Sequence, residues 1–156
     1  MAQNVVKCAF CGLGVEKINA ERYKNKNFHK DCCKKQKEKD ELCEYICRLF
    51  SLKAPGPRIY TQLKNFFNKY PYYTYTGIKE ALIYFYEVQK KPVTKSNQGI
   101  GIVPYIYDEA QEYFNNIKKK QEKIASEVGA IFSISPKKVL VKKKNETQKL
   151  YDLENL

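Results

Sequence analysis

Cys8-Ala9-Phe10-Cys11, answered seventeen residues later by His29-Lys30-Asp31-Cys32, is the stretch that decides how this chain begins to fold. The spacing reads C-x2-C-x17-H-x2-C. Two residues between ligands let a tight turn aim both donor atoms at one ion, and four donors complete the tetrahedron that zinc takes in structural sites. Gly12 and Gly14 allow the backbone to double back as a knuckle, and Ile18 to Phe28 can form a hairpin around Asn25-Lys26-Asn27. The expected cofactor is one structural zinc ion on Cys8, Cys11, His29 and Cys32. Cys33 adjoins Cys32 and competes with it for the fourth position. With four protein ligands there is no open place for a reactive water, so the ion is expected to staple the fold. Three thiolates and a neutral imidazole around a divalent cation leave one negative charge, which Lys7, Lys30 and Lys34 lie close enough in sequence to offset.

Beyond the ligands the pattern is helical. Lys34 to Phe50 turns from polar to apolar at Leu42, Tyr45, Ile46 and Leu49, the stripe of a buried helix face. Cys43 and Cys47 repeat on an adjacent face; they can share a second metal with Cys33, but small core residues are the simpler reading. Ala54-Pro55-Gly56-Pro57 forces a turn before a second helix, Arg58 to Tyr70, with Ile59, Leu63, Phe66, Phe67 and Tyr70 inward. Pro71 to Thr76 is another break. Thr76 is the expected cap of a third helix, Gly77 to Lys91, burying Ile78, Ala81, Leu82, Phe85 and Val88.

Pro92 to Gly101 reads as an exposed loop and Ile100 to Tyr107 as an extended segment. Gly99 and Gly101 hint at a phosphate cradle, yet no Lys-Ser/Thr pair or dinucleotide pattern accompanies them. Asp108 to Val128 is the longest expected helix, its seam of Ala110, Phe114, Ile117, Gln121, Ile124 and Val128 suited to a partner helix of the same or another chain. Ala130 to Ser133 and Lys138 to Lys143 are β-compatible around Pro136, giving a possible terminal hairpin before a loose tail. The fold class is therefore mainly α with a small N-terminal zinc-bound hairpin and knuckle of treble-clef type. Residues 1–33 form the finger, 34–133 the helical body and 134–156 a basic strand or tail.

The 156 residues carry 29 Lys and Arg against 17 Asp and Glu, a net charge of +12, with an ordinary hydrophobic fraction of 43%. That surplus favours polyanionic partners, since contacts to phosphates release condensed counterions and steer encounter. No apolar run of the roughly 20 residues needed to span a membrane is present, and the first residues lack signal-peptide character, so a soluble cytoplasmic protein without membrane partners is expected. The six cysteines fit a reducing compartment better than a disulfide framework.

Two resemblances follow from particular residues. Cys8-x2-Cys11 with Phe28-His29-x2-Cys32 resembles the first finger of a LIM domain, without the second finger. More of the chain is similar to small uncharacterised proteins of phages and prophages of Gram-positive bacteria, through Phe28-His29-Lys30-Asp31-Cys32, Ala54-Pro55-Gly56-Pro57-Arg58-Ile59 and Gly99-Ile100-Gly101-Ile102-Val103-Pro104-Tyr105. That likeness implies a finger joined to a helical body in the cytoplasm of a host bacterium. It implies no activity.

Two kinds of function fit. Three successive helices can form a helix-turn-helix-like unit presenting its third helix to nucleic acid, DNA rather than RNA. Arg58, Lys64, Lys69, Lys79, Lys90 and Lys91 would then meet phosphates, and Tyr72 and Tyr73 in the tyrosine-rich turn would stack on bases. Alternatively the finger and exposed tyrosines form a module that binds or inhibits a host protein. Catalysis is not expected: the single histidine is spent on the metal, no P-loop is present, and the carboxylate pairs Asp40-Glu41 and Asp108-Glu109 read as solvated helix faces. The runs Lys118-Lys119-Lys120 and Lys142-Lys143-Lys144 read as solvated too, unless they gather with Lys90 and Lys91.

Overall fold

The computed structural model describes residues 4–94 and 99–134, with backbone alone at 132–134. It divides into two compact units, residues 1–112 and residues 113–156. In the first, β1 (Val5–Lys7) pairs antiparallel with β2 (Gly14–Glu16), and β3 (Glu21–Tyr23) with β4 (Lys26–Phe28). The second hairpin turns on Lys24 and Asn25, both at positive φ (46° and 61°), overlapping the expected turn at Asn25-Lys26-Asn27 only at Asn25. A two-residue turn with both central residues left-handed matches the twist of the flanking strands. Lys24 can occupy it because its ammonium reaches Asp40, 2.7 Å away.

Helix α1 (Lys30–Phe50) starts directly after His29, which stands at its N-cap in extended conformation. Its first turns belong to the finger: Cys33 closes a small cluster with Cys8, Val15 and Phe28. Its second half buries Leu42, Tyr45 and Ile46 of the expected stripe, while Leu49 is half-buried and Phe50, from the adjacent face, is buried in addition. Cys43 and Cys47 are half-buried and join no metal cluster among the described residues. The helix ends on Ser51 in left-handed conformation, with Leu52 N–H bonded to the Cys47 carbonyl at 2.8 Å, the six-to-one bond of a Schellman end.

Asp40 ties α1 to the second hairpin. It accepts from Tyr23 at 3.1 Å, Lys24 at 2.7 Å and Gln36 at 2.8 Å. Desolvation works to raise its pKa, but these partners outweigh it and hold the carboxyl below the usual carboxylate range. Lys37 and Glu21 add a second bridge at 3.0 Å, with a more exposed carboxylate.

Pro57 opens α2 (Pro57–Lys69), where its missing N–H costs nothing; Ile59, Leu63 and Phe66 face inward. Helix α3 (Tyr75–Ile83) is capped by Thr74, whose hydroxyl accepts from Gly77 N–H at 2.9 Å, so the expected cap at Thr76 is two residues too late. The displacement comes from tertiary contacts: Thr74 N–H donates to the Tyr107 hydroxyl at 3.2 Å, and Tyr73 stacks on Tyr107 with centroids 3.8 Å apart. The helix then widens into a π-helical turn, Tyr84–Val88. Each residue of an i→i+5 turn advances by less than the ~100° of an α-helix, which shifts the inward face. Tyr84 is buried where Val88 was expected, Val88 is exposed and Phe85 half-buried. Tyr84 donates to Glu109 at 2.6 Å and Tyr45 to Glu87 at 3.0 Å.

Helix α4 (Val103–Ile134) overturns two expectations. Ile100–Tyr107 is not extended, because a turn at Ile100 leads straight into helix, with Pro104 in the first turn where a proline is tolerated. Val103, Ile106, Tyr107 and Ala110 make its buried stripe. Ala130–Ser133 is likewise not a strand, since α4 continues past Gly129. In the second unit, Phe114 and Ile117 are half-buried, while Gln121, Ile124, Val128 and Ile131 are exposed. The expected strand at Lys138–Lys143 and the tail lie outside the described residues. No described helix is long and apolar enough to cross a membrane.

Gly77 is the most tightly enclosed of the described glycines. A Cβ there would collide with the Tyr107 hydroxyl and ring. Gly77→Ala should therefore destabilise the protein by about 2 kcal/mol, measured by urea unfolding. Tyr107→Phe removes the nearest colliding atom, so the double variant should lose less than the sum of the singles; strict additivity would show that the clash is relieved elsewhere.

Candidate metal centre

The sulfurs of Cys8, Cys11 and Cys32 and a ring nitrogen of His29 all lie within 4.8 Å of one another. Tetrahedral zinc at ordinary bond lengths would hold such atoms roughly 3.3–3.8 Å apart, so a small contraction suffices. The group can hold a metal ion. The first pair sits in a knuckle between β1 and β2, where Cys8 N–H bonds Leu13 at 2.8 Å, Gly12 N–H bonds the Cys8 carbonyl at 2.9 Å and Gly12 takes φ +78°. Phe28, 2% exposed and edge-on to Tyr23, anchors the chain just before His29.

The histidine's orientation follows from one hydrogen bond. Its Nε2 lies 3.2 Å from the Gly14 carbonyl, which can only accept, so Nε2 carries the hydrogen. In the neutral ring this leaves the Nδ1 lone pair, 3.4 Å from Cys11 Sγ, turned toward the sulfurs. A backbone carbonyl that fixes the outer nitrogen is the usual support of a metal-bound histidine. The thiols are also differentiated. Burial raises the Cys8 pKa, but hydrogen bonds from the backbone of Cys11, His29 and Phe10 override it and bring the thiol down to about 6. Cys32 is pushed up to about 11 by desolvation and by the neighbouring sulfurs of Cys11 and Cys8.

Cys33 is set apart from the four candidate ligands. It is fully buried, outside the ligand group, and bonds the Glu21 carboxylate. Successive helical residues point about 100° apart, so Cys32 and Cys33 cannot face the same target.

The residues expected to meet nucleic acid are not gathered on α3. That helix is buried or half-buried at every residue but Thr76, and its lysine, Lys79, is 3.5 Å from Glu41. A helix enclosed in this way cannot enter a groove, which removes the helix-turn-helix arrangement. Tyr73 is 5% exposed and stacked between Tyr70 and Tyr107, so its faces are unavailable to bases; Tyr72 is exposed. Arg58, Lys64 and Lys69 are exposed on α2, with Lys69 over the Tyr70 ring. Lys90 and Lys91 are exposed beyond the π turn. Arg58 and Lys91 meet at one cavity of about 470 Å³, with Tyr86 and Tyr105 also on its wall. Sequence reasoning missed both tyrosines: Tyr105 was assigned to a strand, and nothing local marks Tyr86. Lys118–Lys120 lies on α4 in the second unit, and Lys142–Lys144 is outside the described residues.

Fold and site together define a small, mainly helical protein with antiparallel strand pairs and, near its N-terminus, a three-cysteine, one-histidine group that could hold a metal ion. The chain belongs to the family described as SPbeta prophage protein YorH, whose model matches residues 8–155. It is 38% identical over 114 residues to the SPbeta prophage-derived uncharacterized protein YorH of Bacillus subtilis (strain 168), an alignment covering 70% of this chain and 71% of that protein. No solved structure matches.

Metal-free protein should take up one ion per chain. Because Cys32 must give up its proton to ligate, affinity should rise with pH across the neutral range, as read by the thiolate charge-transfer absorption of a cobalt titration. Cys32→Ser should weaken both that absorption and the cobalt affinity, and Cys33→Ala should retain both. The reverse pattern would exchange the two roles.

Proposed function

We propose that this protein is a non-enzymatic zinc-finger protein that binds nucleic acid, DNA in preference to RNA, in an accessory or regulatory role in the cytoplasm of the phage's host. The observation that carries the reading is the state of its cations. The net charge is +12, and Arg58, Lys64, Lys90 and Lys91 are exposed and enter no ion pair with a described residue. Cations left unpaired in this way are available to phosphates. Zinc is the metal that best fits three thiolates and an imidazole with every position filled by protein. The order of knuckle, hairpin and helix N-terminus supports a treble-clef reading with LIM-like ligand order. His29 is committed to that set and cannot serve as a general base.

The test is fluorescence anisotropy with labelled single strands and duplexes of DNA and RNA, from low to physiological salt. Affinity should fall linearly on a log–log plot, with a slope reporting the phosphates neutralised. Absence of binding at low salt would sink the proposal. Elemental analysis of the purified protein should give one zinc per chain.

A second reading, a module that binds a host protein, is favoured by Ile124, Val128 and Ile131 of α4, which are 60%, 43% and 64% exposed. It predicts a defined partner retained in pull-downs after nuclease digestion, and lost when these three residues become polar.

A further inference from the structure

The geometry points to the cavity at the start of α2 as a site for single-stranded nucleic acid, one base stacking on tyrosine while neighbouring phosphates meet Arg58 and Lys91. This rests on the nucleic-acid reading above and specifies the form of the strand and the place it binds. The cavity, about 470 Å³, falls within the roughly 300–1,000 Å³ typical of sites for small ligands, the scale of a nucleotide rather than a duplex.

Its walls supply each kind of contact that a flexible strand requires. Tyr105 is 84% exposed at the start of α4, so a ring face is open to a base without any rearrangement of the core. Tyr86 is held in place by edge-on packing with Phe50 at 6.1 Å and Phe85 at 5.0 Å, which gives the cavity a preorganised aromatic wall. Arg58 and Lys91 provide charge from two separate segments of chain. Gln62 is oriented by its own contact: Ile100 N–H donates to its Oε1 at 3.0 Å, which leaves the amide nitrogen as a donor at the wall. Paired cations beside aromatic faces are the elements with which proteins track single strands, because every base has a face to stack and every nucleotide a phosphate. The stretches Ala54–Ile59 and Gly99–Tyr105, distinctive in the sequence, are thereby brought to one place: Arg58 comes from the first, and Gly99, Gly101 and Tyr105 from the second.

The full-length protein would be titrated into labelled oligothymidylate and oligouridylate of about 12 nucleotides, and into a duplex of equal length. Single strands should bind more tightly than duplex, and comparison of the two oligomers shows whether the strand is DNA or RNA. Tyr105→Ala should weaken single-strand binding about tenfold while Tyr105→Phe preserves it. Arg58→Ala with Lys91→Ala should reduce the salt slope by about 1.4, the loss of two phosphate contacts on a single strand. That slope is a readout that a merely structural role would not move. If the parent protein binds nucleic acid but these variants bind with unchanged affinity and slope, the cavity is not the site, and the wider reading stands on another surface. Tighter binding to duplex, weakened by the same variants, would overturn the single-strand assignment alone. If the parent protein binds none of the probes at low salt, both readings fall.

Discussion

Cys32 and Cys33 stand side by side on the first turn of α1 and must serve different masters. One sulfur turns to the ligand group and the other to the small cluster of Cys8, Val15 and Phe28. The helical rotation of about 100° between neighbours makes this possible only if α1 is already helical at Lys30. The placement of the ligand group, the small core beside it and the start of α1 therefore depend on one another. Because the same helix carries Leu42, Tyr45, Ile46 and Phe50 into the body, the finger and the body share a continuous element. The finger is part of the framework rather than an appendage on a flexible tether.

Asp40 reinforces this arrangement about two turns further on. A finger hairpin this small buries little apolar area, and its strands are three residues each. Bonds from Tyr23, Lys24 and Gln36 to one carboxylate compensate by fixing the hairpin against α1. They also explain how lysine occupies a left-handed turn position where asparagine or glycine is usual.

Much of this was legible in the sequence because local rules suffice for it. The ligand group follows from spacing, and α1 and α2 follow from apolar periodicity interrupted by Ala54-Pro55-Gly56-Pro57. What was not legible depends on distant contacts. The cap fell at Thr74 because Tyr107, thirty-three residues away, holds its N–H and stacks on Tyr73. The register beyond Ile83 changed because a π turn lets Tyr84 reach Glu109. The start of α4 was obscured by alternating glycine and isoleucine, although Val103, Ile106, Tyr107 and Ala110 already carried a helical stripe. Arg58 with Lys91, and Tyr86 with Tyr105, meet only through the tertiary fold. No linear motif records that proximity.

The chain contains no tryptophan, and three of its thirteen tyrosines, Tyr70, Tyr73 and Tyr107, form a stacked column with centroid spacings of 4.6 and 3.8 Å. Rings so close couple their electronic transitions, so this column should dominate the near-ultraviolet circular dichroism of the body. A transition metal taken up by Cys8, Cys11, His29 and Cys32 would absorb through its thiolates instead. Loading of the ligand group and packing of the tyrosine column can thus be followed by separate optical signals in a single sample.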